Sequence, residues 1–180
     1  MTQNTPKSAI TNPSLNDFAK AEANLINVAK ETPLLESYYL TDLMGSEVLL
    51  KAENLQRTGA YKLRGAYNLM SKLTSKEKKA GVVAASAGNH AQGVALAAGL
   101  LNIKATIFMP VGASLPKVQA TKGYGAEVVL VGANFAECLQ AAKEFSAKKH
   151  AVFIPPFDHM DVVVGQGTVG LEILRQMPDV

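Results

Sequence analysis

Apolar and polar positions switch repeatedly between a period of two and a period of three to four, and glycine, proline or a capping residue marks most of the switches. Four short apolar runs predict strands over Val82–Ala85, Lys104–Met109, Glu127–Val131 and Ala151–Ile154, and looser alternation predicts another over Ser46–Ala52. Between them the spacing is helical. Tyr61–Lys72 carries Leu63, Ala66, Tyr67 and Met70 on one stripe, and Thr74–Lys79 opens with Thr74 and Glu77 spaced as a capping box. His90–Leu101 is apolar nearly all round, as a helix buried on two sides should be. Ser114–Lys122, Asn134–Lys148 and Asp161–Gln176 complete the series, with Gly165-Gln166-Gly167-Thr168 expected as a helix-opening turn. Upstream, Leu15, Phe18, Ala19, Leu25, Ile26 and Ala29 predict an amphipathic helix capped by Ser14 and stopped at Thr32-Pro33; Tyr38–Met44 predicts a short one closed by Gly45.

Strand and helix alternating with short connections argue an α/β fold whose parallel sheet is covered on both faces and joined by right-handed crossovers. Residues 1–13, rich in Thr, Asn and Ser, read as a flexible arm. Texture changes between Ala52 and Gly59 and again at Pro155-Pro156-Phe157-Asp158. Residues 55–154 are therefore expected as a small inserted lobe, with residues 14–54 and 155–180 as parts of a larger one. Pro178-Asp179-Val180 reads as the entry to a further strand.

Composition narrows the function classes. The net charge of +3 is spread along 180 residues, and the densest cluster, Lys76-Glu77-Lys78-Lys79, contains an acid, so no nucleic-acid surface is expected. No apolar run approaches bilayer-spanning length, and Met1 to Asn12 lacks the apolar segment of a secretory signal. The single cysteine, Cys138, excludes an internal disulfide framework, fits a reducing cytoplasm, and lies in an apolar pattern that suits core packing.

Two stretches carry candidate chemistry. In Gly59-Ala60-Tyr61-Lys62-Leu63-Arg64-Gly65, Lys62 falls on the first turn of a helix, where the macrodipole disfavours a cation. Either Lys62 and Arg64 are solvated surface charges, or the placement favours an uncharged amine able to attack a carbonyl, with Arg64 as a cationic neighbour. Ser86-Ala87-Gly88-Asn89-His90 follows a buried strand and opens a helix, the position where open α/β sheets bind ligands. Its small residues suit a cup for a carboxylate or phosphate; equally, Ser86 and Asn89 can cap the helix while His90 is satisfied in the core. Gly123-Tyr124-Gly125 reads as a helix stop, and Gln119, Asp158 and His159 as solvated polar residues.

Glu53-Asn54-Leu55-Gln56-Arg57-Thr58-Gly59-Ala60-Tyr61-Lys62-Leu63-Arg64-Gly65-Ala66, then Ser86-Ala87-Gly88-Asn89-His90-Ala91-Gln92-Gly93, then Gly165-Gln166-Gly167-Thr168, resemble the threonine dehydratases, pyridoxal-phosphate enzymes of the tryptophan-synthase-β-like class (fold type II). The resemblance runs from about Ala21 to Val180. It implies pyridoxal 5'-phosphate as cofactor and a small amino acid as substrate, with L-threonine, and L-serine beside it, converted to a 2-oxo acid and ammonia. It also implies a homo-oligomer when full length, in biosynthetic (isoleucine) or catabolic metabolism. Lys62 would form the Schiff base, Tyr61 would pack on the cofactor where the family commonly has Phe, and Asn89 would bond the pyridine 3'-oxygen. Ser86, Ala87, Gly88, Asn89 and His90 would cradle the substrate carboxylate.

Serine racemases of the class carry Ser where Ala87 stands, and cysteine synthases usually carry Thr-Ser-Gly-Asn-Thr at this loop. Both remain alternatives of the same fold, beside a non-catalytic small-anion-binding module. The family's glycine-rich phosphate loop and the residue facing the pyridine nitrogen would come after Val180. These 180 residues are therefore expected as an N-terminal part that binds the cofactor weakly and is inactive alone.

Overall fold

The computed structural model describes residues 12–180. The expected arm, residues 1–13, lies outside them except for Asn12 and Pro13.

Four strands, β3 (Val82–Ala85), β4 (Ala105–Met109), β5 (Glu127–Leu130) and β6 (Val152–Phe153), form a parallel sheet in the order β5-β4-β3-β6. Both faces of β3 are buried, and the period-two geometry sorts its side chains. Val82 and Ala84 face one core with Ala105, Ile107 and Met109 of β4; Val83 and Ala85 face another with Phe108. Helix α7 (Phe135–Lys149) covers the second face through Cys138 and Ala142, so the cysteine packs as expected. Helices α3 (Lys62–Ser71), α5 (Asn89–Leu101) and α6 (Leu115–Gly123) build on the first face; α4 (Ser75–Ala80) buries none of its residues, and its capping box from Thr74 and Glu77 forms as predicted.

The chain leaves β3 through α5 to β4 on one side and returns through α7 to β6 on the other. Strand order thus reverses across β3, from β4 on one side to β6 on the other, and the carboxyl end of β3 is a topological switch point, the position where open α/β sheets form a ligand-binding crevice.

A second, two-stranded sheet pairs β1 (Leu34–Glu36) with β2 (Leu49–Lys51) antiparallel, linked by α2 (Tyr38–Met44), which closes on Gly45 in the left-handed conformation at φ 68°. β1 went unpredicted because three residues are too few to show a period. α1 ends at Asn24, short of the expected stop, and the chain turns through Asn27 at φ 64°. In consequence Leu15 and Ile26 are exposed, while Ala21, Leu25 and Val28 make the buried contacts. Pro178 and Asp179 form a turn rather than a strand entry, and the Val180 N–H donates to Met177 O; among the described residues no strand lies beside them to pair with.

The largest departure from expectation is α8 (Met160–Gln176). Gly165-Gln166-Gly167-Thr168 lies inside this helix, not at a turn before it. These glycines serve close packing. A Cβ on Gly165 would stand 2.7 Å from Arg64 O and 2.9 Å from Gly65 Cα, and one on Gly167 would stand 2.3 Å from the Phe18 ring. Across α3, a Cβ on Gly93 of α5 would stand 3.0 Å from Lys62 C and Leu63 N. α3 is therefore clamped between α5 and α8 by backbone-to-backbone approach. Asn68 secures the clamp: its side chain donates to Asp161 O at 2.7 Å and accepts from Asn24 Nδ2 at 3.1 Å.

Gly165→Ala is expected to force α3 and α8 apart, because the obstructing atoms are backbone, and to lower stability by about 1–3 kcal/mol. Gly170→Ala, with nothing within 4 Å of the new methyl, is expected to be neutral or to stabilise by up to about 1 kcal/mol through helix propensity. Urea denaturation of the two variants beside the parent checks both signs.

Candidate active site

Gly59, at φ 69°, turns the chain into α3 and sets Lys62 as its first residue. Lys62 is half-buried. Its Nζ donates to Pro156 O at 2.9 Å and lies 5.0 Å from the centroid of the Tyr61 ring, a cation–π distance. Tyr61 is 40% exposed, so its ring is open to a further partner.

The Ser86–His90 loop leaves β3 at the switch point and enters α5. Its first-turn N–H groups have no acceptor within the helix. Ser86 Oγ accepts from Gly88 N at 3.2 Å, which curls the loop, and Ala87 and Gly88 are half-buried while Asn89 is exposed. Gly93 of α5, four residues and about 6 Å along the axis from Asn89, touches the backbone of Lys62. The third side of the crevice is the Pro155-Pro156 corner after β6. The amine is thus tied to the corner, and the helix that the loop opens is tied to both, through Gly93 against the Lys62 backbone and His90 on Ile154 O.

His90 does not face the crevice. It is 4% exposed, its Nε2 lies 2.9 Å from Ile154 O, and its Nδ1 is buried without a partner. Since a carbonyl only accepts, Nε2 carries the hydrogen and Nδ1 the lone pair. Of the two readings of His90, the core one describes the side chain; its backbone N–H alone can serve the loop. Burial pushes the His90 pKa down to about 4, and the nearby Lys62 charge adds to the depression against the opposing bond to Ile154.

Arg64 is neither a solvated charge nor a neighbour of the Lys62 amine. Two residues along a helix rotate by about 200°, and the guanidinium, 1% exposed, turns into the α1–α8 side. There it donates to Glu53 at 2.8 and 2.9 Å, to Glu172 at 2.6 Å and to Lys30 O at 3.2 Å. Lys51 Nζ completes the cluster, 2.7 Å from the other Glu172 oxygen. Burial alone would push the Glu172 carboxyl up, but hydrogen bonds from Arg64 and Lys51 outweigh it and hold the group below the usual carboxylate range. A cleft of about 380 Å³ is lined by Leu25, Arg64, Thr168, Glu172 and Arg175, on this side of α3 and not at Lys62. The candidate site is the switch-point crevice instead, because the Lys62 amine and the first-turn N–H groups of α5 that lack helical acceptors are on that side.

Three contributors escaped sequence reasoning. Pro156 offers a carbonyl, which no side-chain pattern reveals. Gln166 donates to that same oxygen at 3.1 Å. Lys117 reaches over the loop, its Nζ 3.8 Å from where a Cβ on Gly88 would stand, and adds positive charge to an anion cup. Their signal was faint: a proline pair after a strand, a glutamine between glycines, and a lysine near a helix start. His159, expected as solvated, caps α8, with Nδ1 accepting from Asp161 N at 3.1 Å.

A lysine opening a helix beside an amide-lined loop, at the switch point of a parallel α/β sheet, is an arrangement that can hold a carbonyl compound next to an anion. The chain belongs to the family described as pyridoxal-phosphate dependent enzyme, whose profile matches residues 26–180. It is 50% identical over 167 residues to an L-threonine ammonia-lyase of Thermotoga maritima, covering 93% of this chain and 42% of that protein. Among solved structures it resembles threonine deaminase isoform 2 of Solanum lycopersicum (42% identity, TM-score 0.84, 93% of this chain and 50% of that one). It also resembles maize serine racemase (34% identity, TM-score 0.90, 94% and 52%). The chain spans about half the length of the relatives it matches. Among the described residues no helix is long and apolar enough to cross a membrane.

Two measurements separate scaffold from site. Arg64→Met leaves Glu53 and Glu172 without their shared cation and is expected to cost about 3–5 kcal/mol of stability, read by thermal denaturation. The neutral His90 makes the folded state bind fewer protons than the unfolded chain between pH 6.5 and about 4. Its contribution is present above pH 6.5 and is lost as pH falls towards 4, by about 3 kcal/mol in all. His90→Gln should flatten that part of the acid limb in urea melts taken at pH 4.5 and 7.

Proposed function

We propose that this chain carries the cofactor lysine and the carboxylate-binding loop of a threonine ammonia-lyase, acting on L-threonine, with L-serine as a second substrate, in the cytoplasm. The observation that carries the reading is the Lys62 amine held on Pro156 O at 2.9 Å while the Lys62 backbone lies against Gly93 of α5, the helix that the Ser86–Asn89 loop opens.

The residues suit pyridoxal phosphate: a half-buried amine held by one carbonyl and a ring, beside a loop whose N–H groups lack helical acceptors. When bound, the cofactor supplies an electron sink for the charge left at the substrate's α-carbon. Lys62 Nζ would hold its aldehyde carbon, Tyr61 would face its ring, and Asn89 would donate to its ring oxygen. The Ala87, Asn89 and His90 N–H groups of the Ser86–His90 loop, backed by the Lys117 charge, would grip the substrate carboxylate and so orient the Cα–H bond. Lys62 Nζ, when not bonded to the cofactor, would be the base for that proton. Ala87 supports elimination over racemisation, since a methyl group at this place in the loop cannot return a proton from the opposite face.

Incubating the whole protein with pyridoxal phosphate and reducing with borohydride is expected to fix the label on the peptide that contains Lys62. Lys62→Ala should abolish that label and lower threonine deamination about a thousandfold or more. A label that persists in Lys62→Ala would remove the reading.

A further inference from the structure

Gln166 belongs to a motif whose glycines the helix packing explains and whose glutamine it does not. Its side chain crosses from α8 to the Pro155-Pro156 corner, and Nε2 donates to Pro156 O at 3.1 Å. Lys62 Nζ donates to the same oxygen at 2.9 Å. The reach depends on Gly65, where a Cβ would stand 2.8 Å from Gln166 Cγ. Two residues earlier, His90 Nε2 takes Ile154 O at 2.9 Å, so side chains from α3, α5 and α8 hold the corner.

A carbonyl oxygen has two lone pairs and accepts both donors at once. Were Lys62 its only donor, each departure of the amine would strand a half-buried acceptor, and the loss would oppose the departure. With Gln166 in place the oxygen keeps one partner throughout. We propose that Gln166 is a positioning residue for Lys62: it keeps the Pro156 carbonyl hydrogen-bonded while the lysine amine leaves, and so lowers the barrier to the amine's reaction. The inference rests on the reading of Lys62 as the cofactor lysine. It assigns Gln166 no contact with cofactor or substrate. Gln166 acts through the backbone corner that parks the amine.

The test follows the rate at which pyridoxal phosphate, added to the whole protein, becomes fixable to Lys62 by borohydride. Peptide mass analysis locates the label, and thermal melts run alongside. Gln166→Met keeps the length and packing but not the donor. It is expected to label about tenfold more slowly than the parent, to the same final extent, with a melting temperature within a few degrees. Gln166→Glu cannot donate when ionised and offers the Lys62 ammonium a stronger partner, so it should label more slowly still. A variant that melts like the parent and labels at the parent's rate overturns the inference. If both variants melt far below the parent, Gln166 is a packing residue and the inference is equally overturned. A parent that gains no label at Lys62 removes the underlying reading and the inference with it, a failure seen without any variant.

Discussion

Everything about the site depends on how closely α3 approaches its two neighbours. Side chains ordinarily keep helix axes about 8–10 Å apart. Here Gly65 and Gly165 remove them at the crossing with α8, and Gly93 removes them at the contact with α5. The first turn of α3 is thereby drawn against the carboxyl edge of the sheet, where Lys62 meets a loop from β3 and a corner from β6. With ordinary side chains at those three positions the helices would still pack, but the amine would stand away from the crevice.

The same helix start divides two kinds of cation between two faces. Arg64 goes into the interior, where a planar guanidinium can answer two carboxylates and a carbonyl at once; a lysine's point charge could not satisfy that geometry. Lys62 stays half-buried with one carbonyl acceptor and an aromatic face, partners an amine can leave. The buried cluster is a balanced set, with Arg64 and Lys51 against Glu53 and Glu172. Such sets add little net stability over apolar packing, yet they are costly to break, so the cluster holds α3 in place and in register.

Most of the sheet was legible in the sequence because its central strands β3 and β4 are buried on both faces and the flanking helices α4 and α7 carry caps. Val82–Ala85 and the Thr74–Glu77 box appear where the patterns predict them. The lysine and the amide loop were visible as motifs, and their meeting was an inference from resemblance. What escaped had physical reasons. Glycines inside α8 imitate a turn, because a residue chosen for close approach looks the same in sequence as one chosen for positive φ. Arg64 looked like a partner of Lys62 because sequence proximity hides a rotation of about 200°. Pro156 and Gln166 contribute a backbone oxygen and the donor that reaches it, and neither leaves a periodic trace.

His90 ties the scaffold to the chemistry through what it does not carry. A charged imidazole one helical turn before Gly93 would place a second cation close behind Lys62 and would need an acceptor at Nδ1, where none of the described residues provides one. Burial keeps the ring neutral down to about pH 4, so its one hydrogen is committed to Ile154 O and the corner at Pro156 stays fixed. A hydroxyl or amide in its place could make that bond, but the ring also fills the space between α5 and β6 with rigid, apolar surface. His90, read in sequence either as part of the anion loop or as a core residue, is thus a strut. Lys62, by contrast, keeps partners that can release its amine.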